Sequence, residues 1–593
     1  MEGIPFGFYI AFFLFWGCIY LKDTWYATTS TLRSKSEVSS DVKMQHHQAS
    51  SPSSFSSLSS SLSQSSFTIN SGDTWSIRVM AGSNILHEQQ HMAVKDKTQA
   101  VKISSTFPKY SPALMPTYIV TNHSITSTIR FFDSSPFSPD NRFLAVTQIP
   151  AMYEQSAMQE DGKTYGIAEV VVIDLMTGQQ QIVGYTSAWG SQVGAHVQWL
   201  AKSAVNEAAT MKIVYNDRDL DGIRPIGVIY DLEKHTSTQL DCPIYHLSPD
   251  GLYGVAPNMT KIHITQLGYG IMPKYIGEEN ESVYLNRGAP SNDGLYVIDT
   301  TTGKCRLLVS LREIAEATNL PIDVPTYGFH AKWSGDGEKI MFIVRTLETA
   351  VRIDGVLGKR FRVQHLITMN KDGSEIRRLI SWGSKPVVNG LTRDHDGNHP
   401  TWIPGTHKIT MNLAPLVAHS KSFESLVEGL IPSGRGNLKW KLVVLDADNH
   451  DTNAPTVELY PAGSGHPSAR KGGRYILTDA YSKESGWFGD SLKKGTSPLR
   501  LIDTQKSREV WLLQMNTVRP DVMKDADGGF GLIGLGGPEV DKKQLNAWRC
   551  DMHPSWSNDF QLIAFNGRPR GGLRQVLVAR MSSDEGTLEQ LFA

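Results

Sequence analysis

One phrase recurs along this chain and constrains its fold more than any other feature. It consists of a His, two residues, a Trp or other apolar side chain, a Ser/Pro/Gly/Asp turn, and then a short apolar strand. It reads His196-VQWLAKS, His330-AKWSGDGEKIMFIV, His399-PTWIPGTHKITM, His466-PSARKGGRYILTD and His553-PSWSNDFQLIAF. Two further copies, Ser134-SPFSPDNRFLAV and Ile244-YHLSPDGLYGV, keep the turn and lose the His. Aligned on the turn, the seven copies start at residues 134, 196, 244, 330, 399, 466 and 553. A strand–turn unit repeated at this interval cannot bury its apolar face alone, and stacking the units side by side does so.

The rest of the body fits that reading. Short apolar runs such as Val170-VVIDL, Lys212-IVYN, Gly294-LYVID and Leu499-RLID alternate with turns, and no long amphipathic helical pattern appears. Several strands end in an Asp-led turn, as in Ile173-DLMTG and Ile298-DTTTG, which suits a hairpin. The expected fold is all-β, a seven-bladed β-propeller over residues 106–593. A different all-β array is the alternative. After residue 553 the chain has room for about three strands of ordinary length. A strand from the other end of the body, near Tyr118-IVT or Ser127-TIRFF, is therefore expected to complete the last blade.

Upstream of the body the composition changes twice. Residues 3–21 carry no charge and, as a helix, would reach about 28 Å, close to the hydrocarbon thickness of a bilayer. No basic residue precedes the run and no small-x-small cleavage site follows it. The expectation is a transmembrane helix acting as an anchor within residues 1–27, with a cleaved signal peptide as the competing reading. Residues 28–105 include a Ser-dominated tract that cannot bury enough apolar surface to offset its ordering entropy, and they read as a disordered Ser-rich stalk. Lys22, Arg33 and Lys35 follow the apolar run, which favours a cytoplasmic body. The sequons at Asn122, Asn258 and Asn280 favour a lumenal or extracellular one. The expectation adopted is a single-pass membrane protein with a lumenal or extracellular propeller, secreted if the N-terminus is cleaved.

Charge and cysteine content exclude some classes. Lys+Arg is 58 against Asp+Glu 59, so no global basic field exists and a nucleic-acid partner is not expected. Four Cys in 593 residues exclude a disulfide-stapled scaffold. Cys242, Cys305 and Cys550 read as buried thiols.

In a propeller, one position repeated in every blade forms a ring about the axis. His330, His399, His466 and His553 are thus candidate ligands of a divalent metal ion, Mn²⁺ or Zn²⁺, and His196 is a lesser candidate of the same ring. The competing reading is structural, each imidazole bonding nearby backbone. Cys550 stands at metal-clip spacing from His553, and Asp551 is placed to orient an imidazole. His246 and His263 lie off the repeat. Asp217, Asp219 and Asp221 read as a solvated turn, their spacing being wrong for a Ca²⁺ loop. The glycine-rich run 529–537 lacks the Lys of a phosphate loop, no nucleophile elbow is visible, and no organic cofactor is expected.

The phrases Gly194-AHVQWL, Tyr215-NDRD, Pro243-IYHLSPDG, Leu267-GYG, Gly465-HPSARKGGRYILTDAY and Arg549-CDMHPSWS, taken together, resemble the oligogalacturonate lyases and the related ulvan-type polysaccharide lyases. The resemblance spans roughly residues 130–582 and extends to TolB-like propeller repeats in general. It implies a propeller that cleaves acidic oligosaccharides or polysaccharides by β-elimination, with a Mn²⁺-like ion held by His and a Gln and with a His as base, although this sequence has no clear Gln-x-x-His-x-His cluster. For ulvan-type lyases it implies that a Tyr and an Arg share the work with His; Tyr269 and Arg287 are the counterparts here, with His196 as a further catalytic candidate. The rival reading is a non-catalytic TolB-like binding platform.

Overall fold

A computed structural model describes residues 101–592, except 112, 151–165, 201–210, 267, 272–287, 352–356, 384–394, 416–440, 450–456, 462–464, 482–492, 494, 519–548 and 583. The expected anchor, nearly all of the expected stalk, Arg287, the Asn280 sequon and the run 529–537 lie outside the described residues. Among the described residues no helix is long and apolar enough to cross a membrane.

The strands form seven antiparallel sheets of four strands each. Six follow chain order from the axis outward: blade 1 spans 126–186, blade 2 198–240, blade 3 246–310, blade 4 326–383, blade 5 395–461 and blade 6 468–516. Blade 7 takes three strands from 555–580 and its outermost strand from Thr117–Ile119, which pairs with Gln575–Arg580 at Thr117↔Ala579. The donated strand is the first of the two segments expected from sequence. The second, around Ser127, opens blade 1 instead.

The recurring turn has a local cause. In four blades the turn Ser hydroxyl donates to the Asp two residues on, at 2.5–2.6 Å (Ser138–Asp140, Ser248–Asp250, Ser334–Asp336, Ser557–Asp559). The same Ser oxygen accepts the backbone N–H that opens the next strand, from Phe143, Tyr253, Lys339 and Leu562. One side chain therefore satisfies the turn and starts the strand. The Trp of the phrase fastens neighbours. The indole N–H of Trp199 donates to Pro136 O, that of Trp402 to Lys332 O and that of Trp556 to Ser468 O, each time reaching the innermost segment of the preceding blade. These indoles are buried, so a satisfied N–H matters more than it would at the surface.

One expectation fails. Cys242 and Cys305 are joined in a disulfide, with Cα atoms 5.9 Å apart. It fastens the segment leaving blade 2 to the outermost strand of blade 3. The two residues are 63 apart in sequence, and only the side-by-side packing of the blades brings them together. Cys550 is buried and outside the disulfide.

Candidate functional site

The His of the phrase precedes the innermost strand in blades 2, 6 and 7 and lies within it in blades 4 and 5. His196, His399 and His553 take left-handed backbone, with φ of 56°, 53° and 47°. The innermost strands of blades 4 and 5 shift register across His330 and His399. A bulge of this kind re-aims a side chain away from the sheet, and left-handed backbone in non-glycine residues is concentrated at functional positions.

His466 is held most firmly. Its Nδ1 lies 2.9 and 3.0 Å from the two carboxylate oxygens of Asp479, and its backbone N–H donates to Asp479 Oδ1 at 2.6 Å. The Met552 N–H donates to the other oxygen. Burial pushes the Asp479 carboxyl up, but His466 and these N–H groups outweigh it and hold the carboxyl below its usual range. The approach depends on Gly465, since a Cβ there would stand 1.8 Å from the Asp479 carbonyl oxygen. With Nδ1 committed to Asp479, Nε2 is the ring nitrogen left facing the axis.

Three donor groups converge there. His466 Nε2 and His553 Nε2 stand 4.0 and 3.9 Å from Asp551 Oδ2, and one ligand atom from each of the three residues falls within 4.8 Å of the others. His466 Nε2 and both ring nitrogens of His553 are buried and have no hydrogen-bond partner. Burial, reinforced by His466 and Arg549, holds His553 well below the usual imidazole range, so it is neutral. Orphaned imidazole nitrogens beside a carboxylate are the donor set of a first-row divalent cation, whose bonds to such atoms run about 2.0–2.2 Å. The donors therefore fit a metal ion of the expected kind.

The candidates thus divide. His466 and His553 meet at one point, joined by Asp551 as a third donor, and the role of orienting an imidazole belongs to Asp479. His399 lies beside them, its ring centroid 4.0 Å from that of His466, but its nitrogens face other groups. Its Nδ1–H donates to Gly465 O at 2.8 Å, and its Nε2 faces the Tyr481 hydroxyl at 3.4 Å. His330 bonds the Tyr245 hydroxyl and stacks on Phe131. His196 Nε2 lies 3.3 Å from Tyr269 O. His246 meets the backbone oxygen of Asp133, and His263 is buried in helix Met259–Thr265. Asp219 closes its turn on the N–H groups of Ile223 and Arg224.

Tyr269 joins the site through Arg549. That guanidinium bonds Asp551 at 2.7 Å and the Tyr269 hydroxyl at 2.8 Å, and it lies 5.7 Å from the Tyr481 ring centroid. Burial pushes the Tyr269 phenol up to about 12 against the pull of Arg549, and burial likewise raises Tyr481 well above its usual value. Both are neutral hydroxyls that can donate a proton. His399, Tyr481 and Arg549 are partly exposed, whereas His466 and His553 are not. The site thus has a sealed floor and a reachable rim.

The floor is sealed by a feature missed from sequence. Phe131 and Phe132 follow the first strand of blade 1 and lie against the imidazoles, Phe131 4.5 Å from His553 and Phe132 5.3 Å from His466. A buried triad fixes them: Asp133 pairs with Arg130 at 2.5 Å and with Lys332 at 2.9 Å. Two adjacent Phe would point to opposite faces of a strand, which was the available signal. Asp479 and Tyr481 lie inside the quoted blade 6 phrase, and Arg549 inside that of blade 7.

Fold and site together define a propeller with a His/Asp donor cluster on its axis. No protein-family model matches the sequence, and no curated protein matches it either. Among solved structures, the chain is similar to an oligogalacturonate lyase from Vibrio parahaemolyticus at 13% identity and a TM-score of 0.46, covering 81% of this chain and 97% of that one. It is also similar to an oligogalacturonate lyase in complex with manganese, at 12% identity and a TM-score of 0.47, over 83% and 98% of the two chains. Hydrazine synthase of Kuenenia stuttgartiensis matches at 11% identity and a TM-score of 0.35, over 77% and 98%. At such identities the likeness concerns the fold and leaves the activity to be argued from the residues.

Proposed function

We propose that this protein is a metal-dependent lyase that cleaves uronate-containing oligosaccharides or polysaccharides by β-elimination. The observation that carries the reading is the convergence of His466, His553 and Asp551, with orphaned imidazole nitrogens, beside Arg549 and two neutral tyrosines. His466, His553 and Asp551 would hold a Mn²⁺- or Zn²⁺-like ion, whose positive charge, when bound, acidifies the proton next to a substrate carboxylate. Arg549 sits at the rim with a planar fork suited to that carboxylate. His399 is the candidate base: with Nδ1–H tied to Gly465 O, its Nε2, beside the Tyr481 hydroxyl, is the nitrogen placed to accept the C5 proton. The C5–H electron pair becomes the C4=C5 double bond and the C4–O4 bond breaks. The departing O4 takes a proton from Tyr269 or Tyr481, both neutral at working pH. The test is the ultraviolet absorbance of an unsaturated uronate product on pectic and ulvan fragments, with Mn²⁺ or Zn²⁺ supplied. Silence on all of them would favour the rival, a propeller that binds acidic glycans without cleaving them.

We infer further that the propeller faces an oxidising compartment, lumenal or extracellular. The Cys242–Cys305 disulfide supports this, since such bonds are rare in reducing cytosol. Of the two described sequons, Asn122 lies in an exposed turn, whereas Asn258 caps helix Met259–Thr265. A glycosidase-sensitive mobility shift that disappears in Asn122→Gln tests the assignment. An unshifted protein with free Cys242 and Cys305 thiols would place the body in the cytosol.

A further inference from the structure

Among the described residues, a second group of cations near the site has no carboxylate partner. Arg345, on strand Lys339–Val351 of blade 4, is 4% exposed, and its guanidinium carbon stands 3.3 Å from the centre of the Phe329 ring. Its donors reach only neutral acceptors: Gln364 Oε1 at 3.0 Å, Gln266 Oε1 at 2.8 Å and the Tyr327 hydroxyl. Arg362, on the neighbouring strand Leu357–Asn370, donates to the same Gln266 oxygen at 3.2 Å. Two guanidinium groups thus share one amide oxygen. Among the described residues neither has a carboxylate partner. Other cations near the axis are paired with carboxylates: Arg130 and Lys332 face Asp133, Lys261 faces Asp293 and Arg549 faces Asp551, while the buried Arg568 and Arg574 donate to backbone carbonyls. Burial, then the like charge of Arg362, pulls Arg345 down to about 9. A desolvated cation beside a like charge is unfavourable unless an anion offsets it.

The location ties this pair to the axis. Arg345 is the cross-strand partner of Tyr327, at the end of blade 4 from which His330 also projects. Phe329, under the Arg345 guanidinium, is 5.7 Å from the Tyr269 ring and 3.8 Å from His330. Arg549 bonds Tyr269 from another side. Tyr269 therefore lies between two guanidinium sites, one at the metal-ligand cluster and one in blade 4.

We propose that Arg345 and Arg362 form an anion subsite that takes the carboxylate of a second sugar residue of an acidic glycan whose first carboxylate is taken by Arg549. The identity of the ligand as a uronate chain rests on the lyase reading; the anion subsite does not. It makes the protein a reader of chain length, because a single uronate fills one site and an oligomer fills both.

The test is calorimetric titration of the full chain, with and without Mn²⁺, using galacturonate, trigalacturonate and methyl-esterified trigalacturonate. Trigalacturonate should bind at least about tenfold more tightly than the other two, as one added charge-assisted contact predicts. Arg362→Gln should remove that advantage and leave monomer affinity unchanged; Arg362→Lys should restore part of it. Arg345→Gln should act alike, and the partly exposed Arg362 keeps the test decisive if the Arg345 variant does not fold. Equal affinity of the ester and the acid, or an unchanged length preference in Arg362→Gln, would overturn the subsite. The two readings separate cleanly. Length-dependent binding without unsaturated product overturns the lyase and keeps the subsite. Product formed from trigalacturonate with an unchanged KM in Arg362→Gln keeps the lyase and overturns the subsite.

Discussion

At one end of the ring, the first two strands of a blade are joined by short turns such as 248–252, 334–338 and 557–561, built on one Ser–Asp pattern. At the other end lie the described parts of two long connections, 257–271 with 288–293 and 549–554. The residues of the proposed site belong to this second end: His466 and His553 just before innermost strands, His399 at the register shift of one, Tyr269, Arg549 and Asp551 in the two connections, and Tyr481 just after strand Tyr475–Thr478. Repetition makes the scaffold and supplies the imidazoles, and the connections that escape repetition add the other groups of the proposed site. The difference predicts that substitutions at the two ends act on different measurements.

The largest effect belongs to the site end. His553→Ala should lower Mn²⁺ or Zn²⁺ affinity by about 100-fold or more, and Asp479→Asn by roughly 10–100-fold through loss of the group that orients His466. Competition against a chelating dye reads this, and unchanged affinity in both variants would remove the metal centre. The disulfide comes next. Replacing Cys242 and Cys305 by Ser should cost about 2–4 kcal/mol in denaturant unfolding and leave metal affinity as it was. A smaller loss, about 1 kcal/mol, is expected from Ser557→Ala at the turn end, again without effect on metal. If Ser557→Ala weakened metal binding, the separation of the two ends would fail.

The smallest effect is a pH dependence at the turn end. His407 lies between Asp336 of blade 4 and Asp448 of blade 5, at 2.6 and 2.7 Å, with Lys339 also on Asp448. Partial burial works against its protonation, but the two aspartates prevail and raise its pKa above the ordinary value. The stabilisation is therefore complete below about pH 6.5, the unfolded value, and is lost as pH rises through the higher folded value. At this partly exposed position it amounts to under about 1 kcal/mol. His407→Gln should flatten the difference in unfolding midpoint between pH 6 and pH 9.

The same contrast explains what could be read from the sequence. The turn end is local: Ser, Asp and the following strand lie within six residues, so its grammar is visible along the chain. His466 and His553 could be found because repetition places them at one height on the axis. Asp551 was in view only as their neighbour. Asp479 was hidden because it reaches His466 across a strand pair, and Tyr481 because it reaches His399 from the adjacent blade. Arg345 was hidden for another reason. A charged residue within a strand reads as facing solvent, and here it is buried on an aromatic ring. The Phe131-Phe132 pair read as part of a strand and is instead the floor of the site.

The strand Thr117–Ile119 has a consequence for when the molecule becomes useful. Near it, the Val576 N–H reaches the Thr121 hydroxyl across 455 residues of chain. A ribosome delivers the first partner long before the second, so that edge waits unpaired through most of synthesis, and pairing over such a distance is slow. Asp551 and His553 arrive in the same late stretch that closes the ring. A copy truncated before residue 549 would therefore lack ring closure and two of the three converging donors, Asp551 and His553, together. Loss of the last strand would open the whole circle at once, where loss of a middle loop would leave it shut.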